Sequence, residues 1–149
     1  MNCCGPSWIG QAITWVLICL GWMVVNIQHN RRETRKEVRA ALLELYKHLD
    51  GIEEAAFTYH TEDGDVAVGR RIKRDLLQIA PRIVMARRGG AAYAYAKPLG
   101  AFRRAITIEN FDTAQFAAKS PNAPIFDDIT AAKRDLIVAL ESGYLHTFK

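Results

Sequence analysis

The sequence predicts an all-α protein in which a single N-terminal transmembrane helix continues into a long amphipathic helix, followed by a small helical bundle. Three patterns predict this class. Residues 8–27 carry no charge, apolar side chains from Val38 to Tyr59 recur at helical spacing, and later stretches repeat that spacing. We expect three segments: a transmembrane anchor at 1–28, a basic and heptad-patterned helix at 29–60, and a small all-α domain at 61–149.

The anchor is the uncharged stretch WIGQAITWVLICLGWMVVNI. A helix of about 20 residues rises about 30 Å, which matches the hydrocarbon core of a bilayer. Trp8, Trp15 and Trp22 recur every seven residues and share one face, and the outer two lie where indole rings favour headgroups. A signal peptide would begin with basic residues, whereas the first one here is Arg31. We therefore interpret the stretch as a membrane span rather than a signal peptide or a buried soluble helix.

The orientation follows from a basic cluster that begins just after the anchor, since no Lys or Arg precedes the anchor. Cytoplasmic flanks carry the Lys and Arg excess. We therefore expect the N-terminus outside and the C-terminal domain in the cytoplasm, in a bacterial inner membrane. The cluster is also predicted to contact anionic lipid. The alternative, a solvated turn that only stops transfer, is compatible with this contact and implies the same topology. The cluster consists of Arg31, Arg32, Arg35, Lys36 and Arg39.

Composition narrows the class further. The chain has 149 residues and a net charge of +4, and beyond the anchor it is long enough for one modest core. Membrane-surface contact explains the basic balance more economically than nucleic acid does. No cysteine follows Cys19, which excludes a disulfide framework or a cysteine zinc site in the soluble part. Cys3 and Cys4 are either acylated or ordinary thiols.

The helix after the anchor carries apolar residues at a 4-3 spacing, the pattern of a heptad seam. Three heptads are the minimum for a coiled coil, so two interpretations stay open. The stripe either mediates self-association or packs against later helices of the same chain. Gly51 either ends a helix or is tolerated within a longer one. The seam comprises Val38, Leu42, Leu45, Leu49, Ile52, Ala56 and Tyr59.

The stretch HTEDGD, residues 60–65, is predicted to be a solvated turn, because its acidic spacing matches no calcium-binding loop. Asp65 is predicted to cap a second helix, which Pro81 kinks or restarts and which ends at 87–90. Its polar side carries basic residues that are either phosphate contacts or a solvated face partly paired with Asp75. The candidate phosphate contacts are Arg70, Arg71 and Arg74, with Lys73 beside them.

Three further elements complete the chain. Apolar spacing predicts a short helix over 99–108. Asp112 followed by Gln115 resembles a capping box that opens a second short helix through Ala118. The last helix runs from about residue 125, with two aspartates in the favoured first turn.

No local signature of catalysis is present, since the chain has no Gly-rich phosphate loop, no GxSxG and no HExxH. The four histidines are dispersed, and we expect no enzyme, no metal site and no cofactor. The sequence instead favours an anchored interaction or scaffold protein that self-associates through Val38–Tyr59 or binds another membrane-associated protein. The first alternative is a membrane-permeabilising or lysis-type protein, based on the small pair Gly10 and Thr14 beside the Trp face. The second is nucleic-acid binding through the basic helix at 70–74.

Overall fold

Four helices make up most of the described chain. The protein is represented by a computed structural model, which describes residues 7–62, 64–86, 94–108, 111–113 and 115–148. These residues contain no strand, so the all-α class is confirmed. The chain divides into two compact units, Met1–Glu37 and Val38–Lys149. The helices are α1 (Ser7–Thr61), α2 (Val66–Ala86), α3 (Ala96–Thr107) and α4 (Pro124–Thr147).

α1 is uninterrupted, because its sequence lacks proline and is rich in strong helix formers. Gly51 lies inside it with open space where a side chain would stand. Gly51 is therefore tolerated within the helix, and its alternative role as a helix end is wrong. At the C-terminal end of α1, the Thr61 hydroxyl donates a hydrogen bond to the Phe57 carbonyl at 2.8 Å.

The heptad stripe of α1 lies in the core of the second unit. Its seven side chains are each at most 4% exposed. They pack against apolar side chains from the three later helices, which include Leu76, Phe102 and Leu140. The stripe therefore packs within the chain, as the second of our two interpretations has it. The seven seam side chains are covered by later helices of the same chain, and self-association of the protein stays a prediction.

The start of α2 agrees with the sequence prediction, whereas its course through Pro81 does not. The Ala67 amide donates to Asp65 Oδ1 at 2.7 Å, which confirms the predicted cap. Pro81 lies on the exposed side, and the helix continues through it to Ala86, so the predicted restart is wrong. The predicted end at 87–90 lies outside the described residues. Gly64, before α2, has a φ of +61°, and a Cβ there would lie 2.5 Å from the Phe116 ring.

The segment between α3 and α4 departs from expectation. α3 matches the predicted short helix, but the predicted capping box at Asp112 is wrong. An N-cap residue needs an extended backbone, whereas Asp112 has a φ of +58°. Its amide donates to the Tyr59 hydroxyl at 3.1 Å, and the residues from 116 to 120 form no helix. Pro124 then opens α4, where its fixed φ suits the first turn.

A polar cluster joins α1 to α4 beside the core. Lys133 Nζ donates to Asp50 Oδ1 at 2.8 Å and also to Glu53, whose other oxygen accepts from the Thr130 hydroxyl at 2.8 Å. Burial alone would lower the pKa of Lys133, but these two hydrogen-bonded carboxylates outweigh it and raise that pKa above its ordinary value. Lys133 therefore stays charged at neutral pH and stabilises the helix pair.

Replacing Leu42 with Ala should lower the free energy of unfolding by about 2–5 kcal/mol, because it leaves a cavity in the core. Leu43, its neighbour on α1, is 47% exposed and provides the matched control. Leu43→Ala should change stability by less than about 0.5 kcal/mol. Denaturant titration of the full chain in detergent micelles measures both. Equal effects of the two variants would contradict the placement of the stripe.

Lys133→Met should lower the free energy of unfolding at neutral pH by about 1–3 kcal/mol, because the partly buried carboxylate of Glu53 loses its charged partner. Since the pKa of Lys133 is raised in the folded state, this stabilisation is complete below the ordinary value of 10.5. It is lost as the pH rises through the folded-state pKa. Unfolding curves at neutral and strongly alkaline pH should therefore converge for the variant and wild type. Lys97→Met, at an exposed position of α3, is the control, and its stability should match that of wild type at both pH values.

Candidate membrane segment and basic surfaces

The uncharged segment of α1 has no covering within the described chain. Every described side chain from Gly10 to Ile27 is exposed, including Trp15 at 64% and Trp22 at 71%. An 18-residue window of α1 reaches a mean hydropathy of 1.6, and none of it is buried. α1 is therefore long and apolar enough to span a membrane, and it differs from a soluble core helix, whose apolar side chains would be covered.

The polar groups of this segment are compatible with an apolar surrounding. The Thr14 hydroxyl donates to the Gly10 carbonyl at 2.9 Å, which satisfies it inside the helix. Gln11 and Asn26 are uncharged. A helix also satisfies its own backbone groups, which is the main requirement for a lipid-exposed chain. No group in the segment therefore needs a charged partner.

The basic residues that follow in the first unit are exposed. Arg31, Arg32, Arg35 and Lys36 all face solvent, and Lys36 lies 3.8 Å from Glu33, one helical turn away. A pair of this kind, with both side chains more than half exposed, contributes little energy. The Lys36 side chain can thus reorient toward an anionic surface.

Arg39 differs from the other members of the predicted lipid-contact set. Its guanidinium lies 2.6 Å from Glu141 and 5.5 Å from the centre of the Tyr144 ring. Glu141 also accepts a hydrogen bond from the Tyr46 hydroxyl at 2.9 Å. Arg39 is therefore held against α4 and joins two helices of the second unit. No local pattern predicts this contact, because Glu141 lies 102 residues after Arg39 in the chain.

The basic residues of α2 are only partly gathered. Arg70 and Arg74 are one turn apart on the exposed side, and neither makes an ion pair within the described part of the chain. Arg71 points elsewhere, with its Nε 3.6 Å from Asp75. Lys73 pairs with Asp112. The candidate phosphate contacts therefore reduce to one pair of arginines rather than a pocket.

The structure reveals one polar core residue that the sequence did not. His60, predicted to open a solvated turn, lies inside α1 and is fully buried. Its Nε2 lies 3.0 Å from the Ile106 carbonyl, and its ring centre lies 5.4 Å from that of Tyr59. The burial of His60 could not be predicted locally, because the residues that follow it are polar and its partner lies in the distant α3. Among the described residues, no group of three His, Cys, Asp or Glu side chains is placed to hold a metal ion.

Comparisons with protein-family models, with curated proteins and with solved structures found no match to this chain.

Arg39→Gln should lower the free energy of unfolding by about 1 kcal/mol, because it removes a charged hydrogen bond between two helices at a half-exposed site. Arg32→Gln is the matched control, since Arg32 is exposed and makes no ion pair within the described residues. Thermal unfolding of both variants in detergent micelles measures the difference. A larger loss with Arg32→Gln would show that the assignment of Arg39 to the fold is mistaken.

Proposed function

We propose that this chain is a single-span membrane protein whose second unit is a helical interaction domain at the cytoplasmic face. The observation that carries the proposal is the uncharged segment 8–27, whose described side chains are exposed on all sides of α1. Soluble proteins rarely expose contiguous apolar surface of this extent, and such patches mark membrane or protein contacts.

The energetic argument for insertion rests on the number of exposed apolar side chains. Burying one large apolar side chain stabilises by about 1.5–3 kcal/mol. The segment exposes Leu17, Ile18, Leu20, Met23 and Val24 among others, each at more than half of its surface. Lipid covers all of these side chains at once, whereas a single groove on a partner protein would cover one face of the helix only.

The orientation proposal rests on the exposed cluster at 31–36. Its four basic side chains follow the span directly, which favours retention on the cytoplasmic side. The same charges support attraction to anionic headgroups, at about 1 kcal/mol per basic residue near the surface. Arg39 is left out of this set because Glu141 holds it.

A binding role is favoured over a catalytic one, because charged side chains beside the core hold helices together. Lys133 is engaged with Asp50 and Glu53, and Arg39 with Glu141, in contacts that hold helices together. Because the heptad stripe is covered, a partner must use the outer surface of the bundle. We propose another membrane-associated protein as that partner.

Full-length protein should stay in membranes washed with alkaline carbonate. Changing Leu17 and Leu20 to Arg should release it, since each arginine at the centre of a span costs about 2.5–3.5 kcal/mol. Leu43→Arg, at an exposed position of the second unit, is the matched control and should leave the protein in the membrane. Intact mass of the membrane-bound protein tests whether the apolar segment is retained.

Release of the wild-type chain by carbonate, or loss of the segment from the mature protein, would contradict the proposal. The same strains settle orientation if they carry a C-terminal reporter. Reporter activity should be confined to the cytoplasm. Activity confined to the outer side would reverse the topology and favour the lysis-type alternative.

A further inference from the structure

α2 presents two opposite stripes, each with 4-3 spacing. One stripe, from Ile72 to Ala86, is buried in the core. The other faces away from the core, and we refer to it as the outer stripe. Two arginines occupy its N-terminal half and large apolar side chains its C-terminal half. The outer stripe consists of Arg70, Arg74, Leu77, Pro81, Val84 and Met85, all exposed.

The apolar half of the outer stripe consists of large side chains that are mostly exposed to solvent. Leu77 is 69% exposed, Val84 54% and Met85 70%. Met85 and Pro81 also line a cleft of about 420 Å³ between α1 and α2, where Arg82 lies 3.5 Å from Glu44. The apolar surface of α2 thus extends to the edge of this cleft.

The charged half of the outer stripe is purely basic. Arg70 and Arg74 make no ion pair within the described residues, and no acidic side chain interrupts the stripe. Asp75, the nearest acid on α2, lies to one side and pairs with Arg71. The outward side of α4 is different, because Asp127, Asp128 and Asp135 are exposed there. The outer surface of α2 therefore combines uncompensated positive charge with large exposed apolar side chains.

This combination identifies the occupant by charge and chemistry. Exposed basic residues beside exposed Leu, Val and Met are the kinds of side chain with which interfacial helices contact an anionic bilayer. A nucleic acid would use the two arginines and leave the apolar half uncovered. An anionic lipid surface covers both halves, because headgroups meet the arginines and acyl chains meet the apolar side chains.

We propose that the outer stripe of α2 is a second, peripheral contact of this protein with anionic phospholipid. The inference rests on the proposed membrane anchor, which keeps the stripe at a high effective concentration beside a bilayer. A contact too weak to recruit a free protein is then sufficient. Docking fixes which surface of the second unit faces the membrane and leaves α4 turned to other partners.

The test uses the full chain, with Cys3, Cys4 and Cys19 changed to Ser and a polarity-sensitive fluorophore on Val84→Cys. The matched control carries the same fluorophore on Val138→Cys, a valine of α4 that is 60% exposed. Both proteins are reconstituted into vesicles of phosphatidylcholine with or without phosphatidylglycerol. The Val84 probe should shift to the blue only with phosphatidylglycerol, and added salt should reverse the shift. The Val138 probe should stay unchanged in both kinds of vesicle.

Arg70→Gln with Arg74→Gln should lower the docking equilibrium constant about 30-fold, since each basic residue contributes about 1 kcal/mol at an anionic surface. Carbonate extraction of the same vesicles separates two failures. Inserted protein whose Val84 probe ignores phosphatidylglycerol would overturn this inference alone and point to a protein partner for the stripe. Protein that does not insert would overturn the anchor and this inference together.

Discussion

Coverage of one apolar stripe is the constraint on which the second unit depends. The seven stripe side chains of α1, from Val38 to Tyr59, are almost fully buried, and every later helix contributes apolar residues to the same core. Each such side chain stabilises by about 1.5–3 kcal/mol when it leaves water. The later helices are therefore placed by the need to cover this stripe, and the ion pairs at Lys133 and Arg39 lie beside it.

Elements with local causes could be predicted from the sequence. The stripe of α1, the cap at Asp65 and the presence of α3 depend on spacing or on contacts within a few residues, and the structure agrees with them, although α3 begins at Ala96 rather than at Leu99. The uncharged segment was visible in the same way, since hydropathy needs no tertiary partner. The sequence alone could not decide whether the helix continues through Pro81, because this depends on the packing of the residues beside it.

Features that depend on distant partners could not be predicted. The Tyr59 hydroxyl takes the amide of Asp112 and holds that residue at positive φ, so a local capping signal failed. His60 is buried because α3 supplies a carbonyl for its ring. The same limit applied to the candidate lipid contacts, since only the structure shows Glu141 at Arg39. A heptad pattern cannot state whether its partner is another copy or a later part of the same chain.

The separation of Arg39 from Glu141 has a consequence for synthesis. The ribosome delivers α4 about 100 residues after the start of the stripe, a delay of about 5–20 s at ordinary elongation rates. During that interval the nascent stripe lacks the cover that α4 contributes, while the apolar segment before it has already emerged. Premature apolar contacts therefore compete with folding until Leu136 and Leu140 join the core.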